Sequence, residues 1–358
     1  MINSVTGGRS NRYFAAANSG RGFRSYFNEL FFNEAIKRRY IIKGGPGTGK
    51  SSLMKRIGAL CEREGRTVEY YYCSSDTDSL DGIVIDSSVA MLDGTAPHSF
   101  DTALPGALDE IINLGAFWDA DGLSAHTDAI RDISRKKRSA YERAYQYLSA
   151  ALETSLAIGS LASDIINYAK LHAAVVRKCE QMTCSGRGAL IPSTVSAIGA
   201  KGRVRFNTLE ERASRIYVIE DLYGAGRLYT LALTSELLAR GCELRVAYGT
   251  VDTETIEAVL IQSSGECFVI GRADDFGDYP DVSVINCKRF VYPERIPRIR
   301  KEYRAGERAY KLLVELAERE LFAAGAAHAE LESIYTAHMD FGALDAFFAE
   351  ISKKFTVD

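Results

Sequence analysis

Residues 40–53 read YIIKGGPGTGKSSL, and the fold turns on how that stretch is read. Tyr40, Ile41 and Ile42 form a short apolar strand, and Gly44, Gly49, Lys50 and Ser51 then fit G-x-x-x-x-G-K-[ST]. Glycines at 44, 47 and 49 let the backbone approach an anion closely, and Pro46 stiffens the turn. Downstream, SLMKRIGALCERE (52–64) places Leu53, Ile57, Leu60 and Cys61 at helical spacing, with Gly65 as the stop. A strand, a glycine loop and a helix whose positive end faces the loop make a phosphate-binding device. Gly44, Gly45, Pro46, Gly47, Thr48, Gly49, Lys50, Ser51 and Ser52 are therefore expected to hold a nucleotide's phosphates, with Lys50 on the β- and γ-phosphates and Ser51 on Mg²⁺.

Such a site needs a second carboxylate. In SSVAMLDG (87–94) a buried strand delivers Asp93 at its C-terminal end, the place for the partner of Ser51 on the metal. No N-K-x-D-like or LSGG-like segment is present, and Gly94 rather than Glu follows Asp93, so an activated water needs another base. The strand TVEYYYC (67–73) runs into SSDTDSLDG (74–82), where Asp76, Asp78 and Asp81 lie in the crevice at a strand end; Asp76 is preferred, with Asp78 beside it. The same residues also suit an Asp/Ser turn capping the next element. His98 lies five residues beyond Asp93 and is read as a γ-phosphate contact. RDISRKKRSAYERAY (131–145) is either a solvated helix face or a lid supplying Arg131, Arg135, Lys136, Lys137, Arg138 or Arg143; Arg21 and Arg24 are further cationic candidates.

The chain then repeats itself. YVIEDLYGAGRLYT (217–230) aligns on the first stretch, Tyr217 on Tyr40 and Gly224 on Gly47. GRTVEYYYCSSDTDSLDGIVI (65–85) aligns on GCELRVAYGTVDTETIEAVLI (241–261), shifted by one residue, and ERAY at 142–145 returns at 307–310. This order implies tandem duplication of a unit of roughly 175 residues. The expected fold is α/β, a P-loop NTPase fold with a parallel sheet and flanking helices, duplicated, each unit followed by a helical hairpin (123–178 and 298–353). The expected domains are 1–184 and 185–358. In the second copy Asp221 replaces Gly44, Leu222 replaces Gly45, Arg227 and Leu228 align on Lys50 and Ser51, and Ile270 aligns on Asp93. That unit is read as degenerate and nucleotide-free. It is retained as half of an intramolecular pseudo-dimer, or to deliver Arg240, Arg245 or Arg272 to the live site.

The 358 residues carry a net charge of −3, which exerts no general pull toward nucleic acid or anionic lipid, and no apolar run approaches bilayer-spanning length. Seven scattered cysteines fit free thiols in a reducing cytoplasm, and Cys179 and Cys184, though close, lack partners for a metal site. A cytoplasmic protein with neither membrane nor nucleic-acid partners is expected.

YIIKGGPGTGKSSLMKRIG, YYYCSSDTDSLDGIVI, MLDGTAPH and PGALDEIINLGAFWD (105–119) resemble a family of uncharacterised bacterial tandem P-loop ATPases, also labelled nucleotide-kinase-like. The resemblance covers essentially the whole chain. It implies ATP binding on a P-loop fold, supports Lys50, Ser51 and Asp93, and marks Asp76, Asp78 and His98 as parts of shared motifs; it names no substrate. The family's second unit tends to keep its own loop, and 221–228 departs from that pattern. The expected function is a Mg²⁺·ATP-binding NTPase with one live site, hydrolysing ATP to drive a conformational change. A small-molecule or nucleotide kinase with an unidentified acceptor, and a non-catalytic nucleotide sensor acting on a protein partner, are the alternatives.

Overall fold

A computed structural model describes residues 11–96, 99–184 and 186–356. His98 lies outside them. The first unit opens with β1 (Arg12–Phe14), the hairpin β2 (Ala16–Ser19) and β3 (Gly22–Ser25), and α1 (Phe27–Phe31). Then come β4 (Arg38–Lys43), α2 (Lys50–Arg63), β5 (Val68–Tyr72), β6 (Leu80–Ile85), β7 (Val89–Asp93) and β8 (Asp109–Asn113). The unit closes with α3 (Ala120–Ser124), the long α4 (Thr127–Ser163) and α5 (Tyr168–Cys179). The second unit repeats the series: β9 (Ala189–Ser193), β10 (Ser196–Gly199), β11 (Gly202–Arg205), α6 (Thr208–Glu211), β12 (Arg215–Glu220) and α7 (Ala225–Ala239). β13 (Glu243–Tyr248), β14 (Ile256–Ile261), β15 (Glu266–Ile270), β16 (Val282–Asn286), α8 (Ile296–Ala337) and α9 (Phe341–Ser352) complete it.

Each unit holds a six-stranded sheet, and the two orders, β1-β5-β6-β7-β4-β8 and β9-β13-β14-β15-β12-β16 (counted from corresponding edges), are the same. Three of the five pairings in each sheet are parallel, but β6 and β14 run antiparallel to both neighbours. The sheets are thus mixed, not wholly parallel. The cause is connection length: no crossover helix fits between β5 and β6, and β6 turns into β7 through Asp86 (φ 48°) and Ser87 (φ 53°), a tight hairpin turn. The duplication is also longer than its sequence signal, because β1 to α1 recurs as β9 to α6. Its trace is the turn Arg21-Gly22 against Lys201-Gly202, both glycines at positive φ (89° and 76°).

Strand alternation sorts the cores. Tyr40, Ile42 and Met91 point outward onto α2, whereas Ile41, Ala90 and Leu92 point inward. The second sheet does the same with Tyr217 and Ile219 outward and Ile216, Val218 and Val269 inward. The two inner faces, with residues of α1 and α6, share one core. Each sheet therefore carries its principal helix layer on one face only, and the other face meets its counterpart. At this seam Arg245 Nη2 donates to Glu69 Oε1 at 2.8 Å, and Glu69 also accepts from the Tyr71 hydroxyl at 2.6 Å.

The helical hairpins are absent as expected units. α4 lies antiparallel along α8, with Ala144, Leu148 and Ala151 against Leu321, Ala317 and Val314. The short helices change sides: Leu171 and Val175 of α5 pack on the second sheet with Leu233 and Leu237, while Leu344 and Phe348 of α9 pack on the first with Leu53 and Ile57. The β-hairpins also reach across, Gly20 N to Val251 O (2.9 Å) and Ala200 N to Ser75 O (3.0 Å). The expectation of seven free thiols is corrected at one place: Cys184, after α5, is disulfide-bonded to Cys242, with Cα atoms 4.7 Å apart, because that segment runs back beside the start of β13. The other five cysteines are free. Among the described residues no helix is long and apolar enough to cross a membrane.

Glu69 and Arg245 are 16% and 8% exposed, so removing one charge strands the other in low dielectric. Glu69→Ala is expected to cost about 3 kcal/mol in denaturant unfolding, and Glu69→Ala with Arg245→Met to recover most of that loss.

Candidate functional site

The glycine loop leaves β4 at Lys43 and enters α2 at Lys50, with Gly47 at φ 69° and Gly49, the helix N-cap, at φ 83°. Those angles favour glycine. Thr48 Oγ1 donates to Gly45 O at 2.9 Å, tightening the turn from inside. The Lys50 ammonium folds back over the loop, donating to Gly44 O (3.0 Å) and Gly45 O (2.7 Å), and lies 3.6 Å from Asp93 Oδ2. Ser51 Oγ accepts from Leu80 N at 3.0 Å, which ties the start of α2 to the start of β6. Parallel pairing sets Asp93 opposite Ile42, and Thr95 holds its Oδ1 through N (2.9 Å) and Oγ1 (2.5 Å). Lys50, Ser51 and Asp93 therefore gather where β4, β7 and α2 meet, a set of hard oxygen donors beside an ammonium.

Asp81 joins them from β6. Burial, and next the Asp93 carboxylate, push its pKa up to about 8, with Lys50 opposing. Burial likewise raises Asp93, against the pull of Lys50. Of the three acidic-turn candidates, only Asp81 is buried. Asp76 caps its own turn, accepting from Asp78 N (3.2 Å) and Ser79 Oγ (2.6 Å). Asp78 is exposed and ion-paired with Lys201 of the other unit's hairpin. The equivalent pair, Arg21 with Glu254 at 3.1 Å, exists at the unit without an intact loop. Asp78 and Arg21 are thus matching ties between units, which accounts for both without chemistry.

The loop is roofed by the second unit. A Cβ on Gly47 would fall 2.5 Å from Thr336 Oγ1 and 3.1 Å from Glu332 O of α8, and one on Gly45 would meet Trp118 at 3.0 Å. Leu344 and Phe348 of α9 flank Gly49. Lys137 of α4 sits with its Nζ 3.5 Å from His328 Nδ1 of α8. Burial lowers the pKa of both, and the Lys137 ammonium lowers His328 further, so that imidazole is neutral near pH 7. His328, Glu332 and Thr336 recur at i, i+4 and i+8 on one face of α8; that polar stripe, succeeding the apolar Val314, Ala317 and Leu321, was the signal that sequence reading passed over.

Of the basic run, only Lys137 turns inward. Arg131 pairs with Asp128, Arg135 with Asp132 and Arg143 with Glu320, while Lys136 and Arg138 are exposed. Arg24 pairs with Glu29, Arg240 with Glu236 and Arg272 with Asp274; Arg245 crosses to the first unit, but to Glu69 in the shared core. The second loop is one residue shorter. The buried face of α7 (Tyr229, Thr230, Leu233, Thr234, Leu237) matches that of α2 (Leu53, Met54, Ile57, Gly58, Cys61) only if Lys50 corresponds to Gly226 and Ser51 to Arg227, which corrects the alignment of Lys50 on Arg227. Asp221 Oδ1 accepts from Gly226 N at 2.6 Å, so a carboxylate of the chain itself satisfies this loop.

Comparison with known protein families, with curated proteins and with solved structures finds no match to this chain.

Asp221→Ala would leave the Gly226 amide without its acceptor, and is expected to cost about 1–2 kcal/mol in chemical unfolding without adding a nucleotide site, so that the number of labelled ATP molecules bound per chain in equilibrium dialysis stays that of the unaltered protein. Gly47→Ala combines a strained φ with the Thr336 clash; it should lower the thermal midpoint by at least about 2 °C.

Proposed function

We propose that the first unit is a P-loop site for Mg²⁺·ATP and that the chain hydrolyses ATP there, using the reaction to move α8. The observation that carries this reading is the Lys50 ammonium, lodged on the Gly44 and Gly45 carbonyls between a glycine N-cap and Asp93. An ammonium in that place moves onto β- and γ-phosphate oxygens with little rearrangement, while the loop and the positive end of α2 receive the remaining charge. Ser51 and Asp93 suit Mg²⁺, which keeps waters and shares phosphate oxygens, so few protein ligands suffice. The ion, when bound, neutralises charge developing on the transferred phosphoryl group.

Asp81 replaces Asp76 and Asp78 as the preferred base. It is buried beside Asp93, whereas the other two are committed to a turn and to a tie between units. Burial gives the Asp81 carboxyl a raised affinity for a proton, as a group that takes one from water requires. Lys137 and His328 are preferred over the arginine candidates for contact with the outer phosphate, because they lie on the roof and the arginines do not.

Movement follows from the roof. Thr336 abuts Gly47 at one end of α8, and at the other Tyr303 stacks edge-on with Tyr223 of the degenerate loop, ring centroids 4.7 Å apart. A shift of the α8 C-terminal turn when nucleotide enters would reach the second unit through a rod of roughly 50 Å. Cytoplasmic location belongs to the same proposal.

The test is phosphate release from Mg²⁺·ATP with no acceptor, with ATP binding measured in parallel. Lys50→Ala and Asp93→Asn are expected to lower release by about a hundredfold or more, with Lys50→Ala also weakening ATP binding. Tight binding without release would remove the hydrolase reading, and no binding would remove the site.

A further inference from the structure

The duplication supplies an internal comparison on the outer edge of each sheet. In the first unit, β8 is the edge strand, and Glu110 stands beside Tyr40 in the register. Its carboxylate is clamped by Arg38 (2.5 Å) and by Lys354, which follows α9, and Phe355 covers the Tyr40 ring at 5.0 Å. That niche is closed and neutralised from within.

In the second unit the register puts Ser283 of β16 beside Tyr217, so the carboxylate is gone. Its arginine partner is kept: Arg215 lies 5.4 Å from the Tyr217 ring centroid, as Arg38 does from Tyr40. The phenyl cover is replaced by an ammonium, with Lys178 Nζ 3.5 Å from the Tyr217 centroid, and Arg177 of α5 and Arg289 are added. These groups line a cavity of about 490 Å³ between α5 and β16. Two carboxylates touch its lining residues, Asp281 at 3.2 Å from Arg215 and Glu266, which accepts from the Tyr217 hydroxyl at 3.2 Å. Arg177, Lys178 and Arg289 make no ion pair among the described residues, and burial lowers the pKa of Lys178.

We propose that this cleft binds a small phosphorylated ligand carrying two adjacent anionic groups, which takes the place that Glu110 occupies in the first unit. The two guanidinium forks without an ion pair, Arg177 and Arg289, and the Lys178 ammonium match the oxygens of phosphate groups, with Arg215 beside them already facing Asp281. The volume suits a ligand of mononucleotide size. The basic groups are bordered by the Asp281 and Glu266 carboxylates, and the chain as a whole carries a net charge of −3, unlike the broad basic face of a nucleic-acid binder. The glycine loop of this unit plays no part, since Asp221 already fills it.

Inorganic pyrophosphate, titrated calorimetrically without Mg²⁺ into the full chain, is the probe. Because the glycine loop of the first unit can also take pyrophosphate, the titrations use a Lys50→Ala background. One saturable site is expected there. Ser283→Glu, which restores the missing carboxylate, and Arg177→Ser on the exposed face of α5 should each weaken it about tenfold or more. No saturation at millimolar pyrophosphate, or affinity unchanged in both variants, overturns the proposal. So does a short single-stranded oligonucleotide that displaces pyrophosphate and binds more tightly with a steep salt dependence. Should Ser283→Glu fail to fold, Arg177→Ser decides alone.

Discussion

Helix length governs the molecule. α4 has 37 residues and α8 has 42, so they run for about 55 and 63 Å. A compact unit of roughly 175 residues is only about 40 Å across. A helix that overshoots its own sheet cannot return its successor to that sheet through a short loop. α5 and α9 therefore land on the neighbour, and the long helices find each other as antiparallel partners along Ala144, Leu148, Ala151, Val314, Ala317 and Leu321. The exchanged short helices and the roof over the glycine loop follow from that overshoot.

The exchange also makes the second unit part of the first unit's packing. Its helix α9 covers Leu53 and Ile57 of α2, and its helix α8 lies over Gly47. The shared core between the sheets joins Ile41 and Leu92 to Val218 and Val269. Removing the second unit would expose apolar surface on both faces of the first sheet. Asp221 satisfies the loop of the second unit from within, its carboxylate accepting from the Gly226 amide.

Local motifs were legible in the sequence because the physics that shapes them is local. The glycine loop, Lys50, Ser51 and the strand ending in Asp93 sit together where the spacing put them. The duplication was legible from like-for-like pairs in order. The partners across units were not, since neither the antiparallel seam nor the Asp78–Lys201 and Arg21–Glu254 ties leave a mark near either residue. The mixed sheets could have been inferred from the short β5–β6 and β6–β7 connections, but buried strands of either sense look alike in composition. His328 was hidden for a different reason: a polar stripe on a long helix reads as solvent-facing until something is known to lie beneath it.

One consequence of the exchange concerns the order in which the chain is made. Translation delivers β4, the glycine loop and α2 early, but Leu344 and Phe348 of α9 emerge only after both sheets have left the ribosome. Until then the outer face of α2 lacks its apolar cover. A polypeptide arrested before residue 341 carries every residue of the loop and none of this cover, so quality-control proteases and chaperones meet an exposed greasy helix. Helix α9 thereby acts as a late cover, closing over a part of the chain made about three hundred residues earlier.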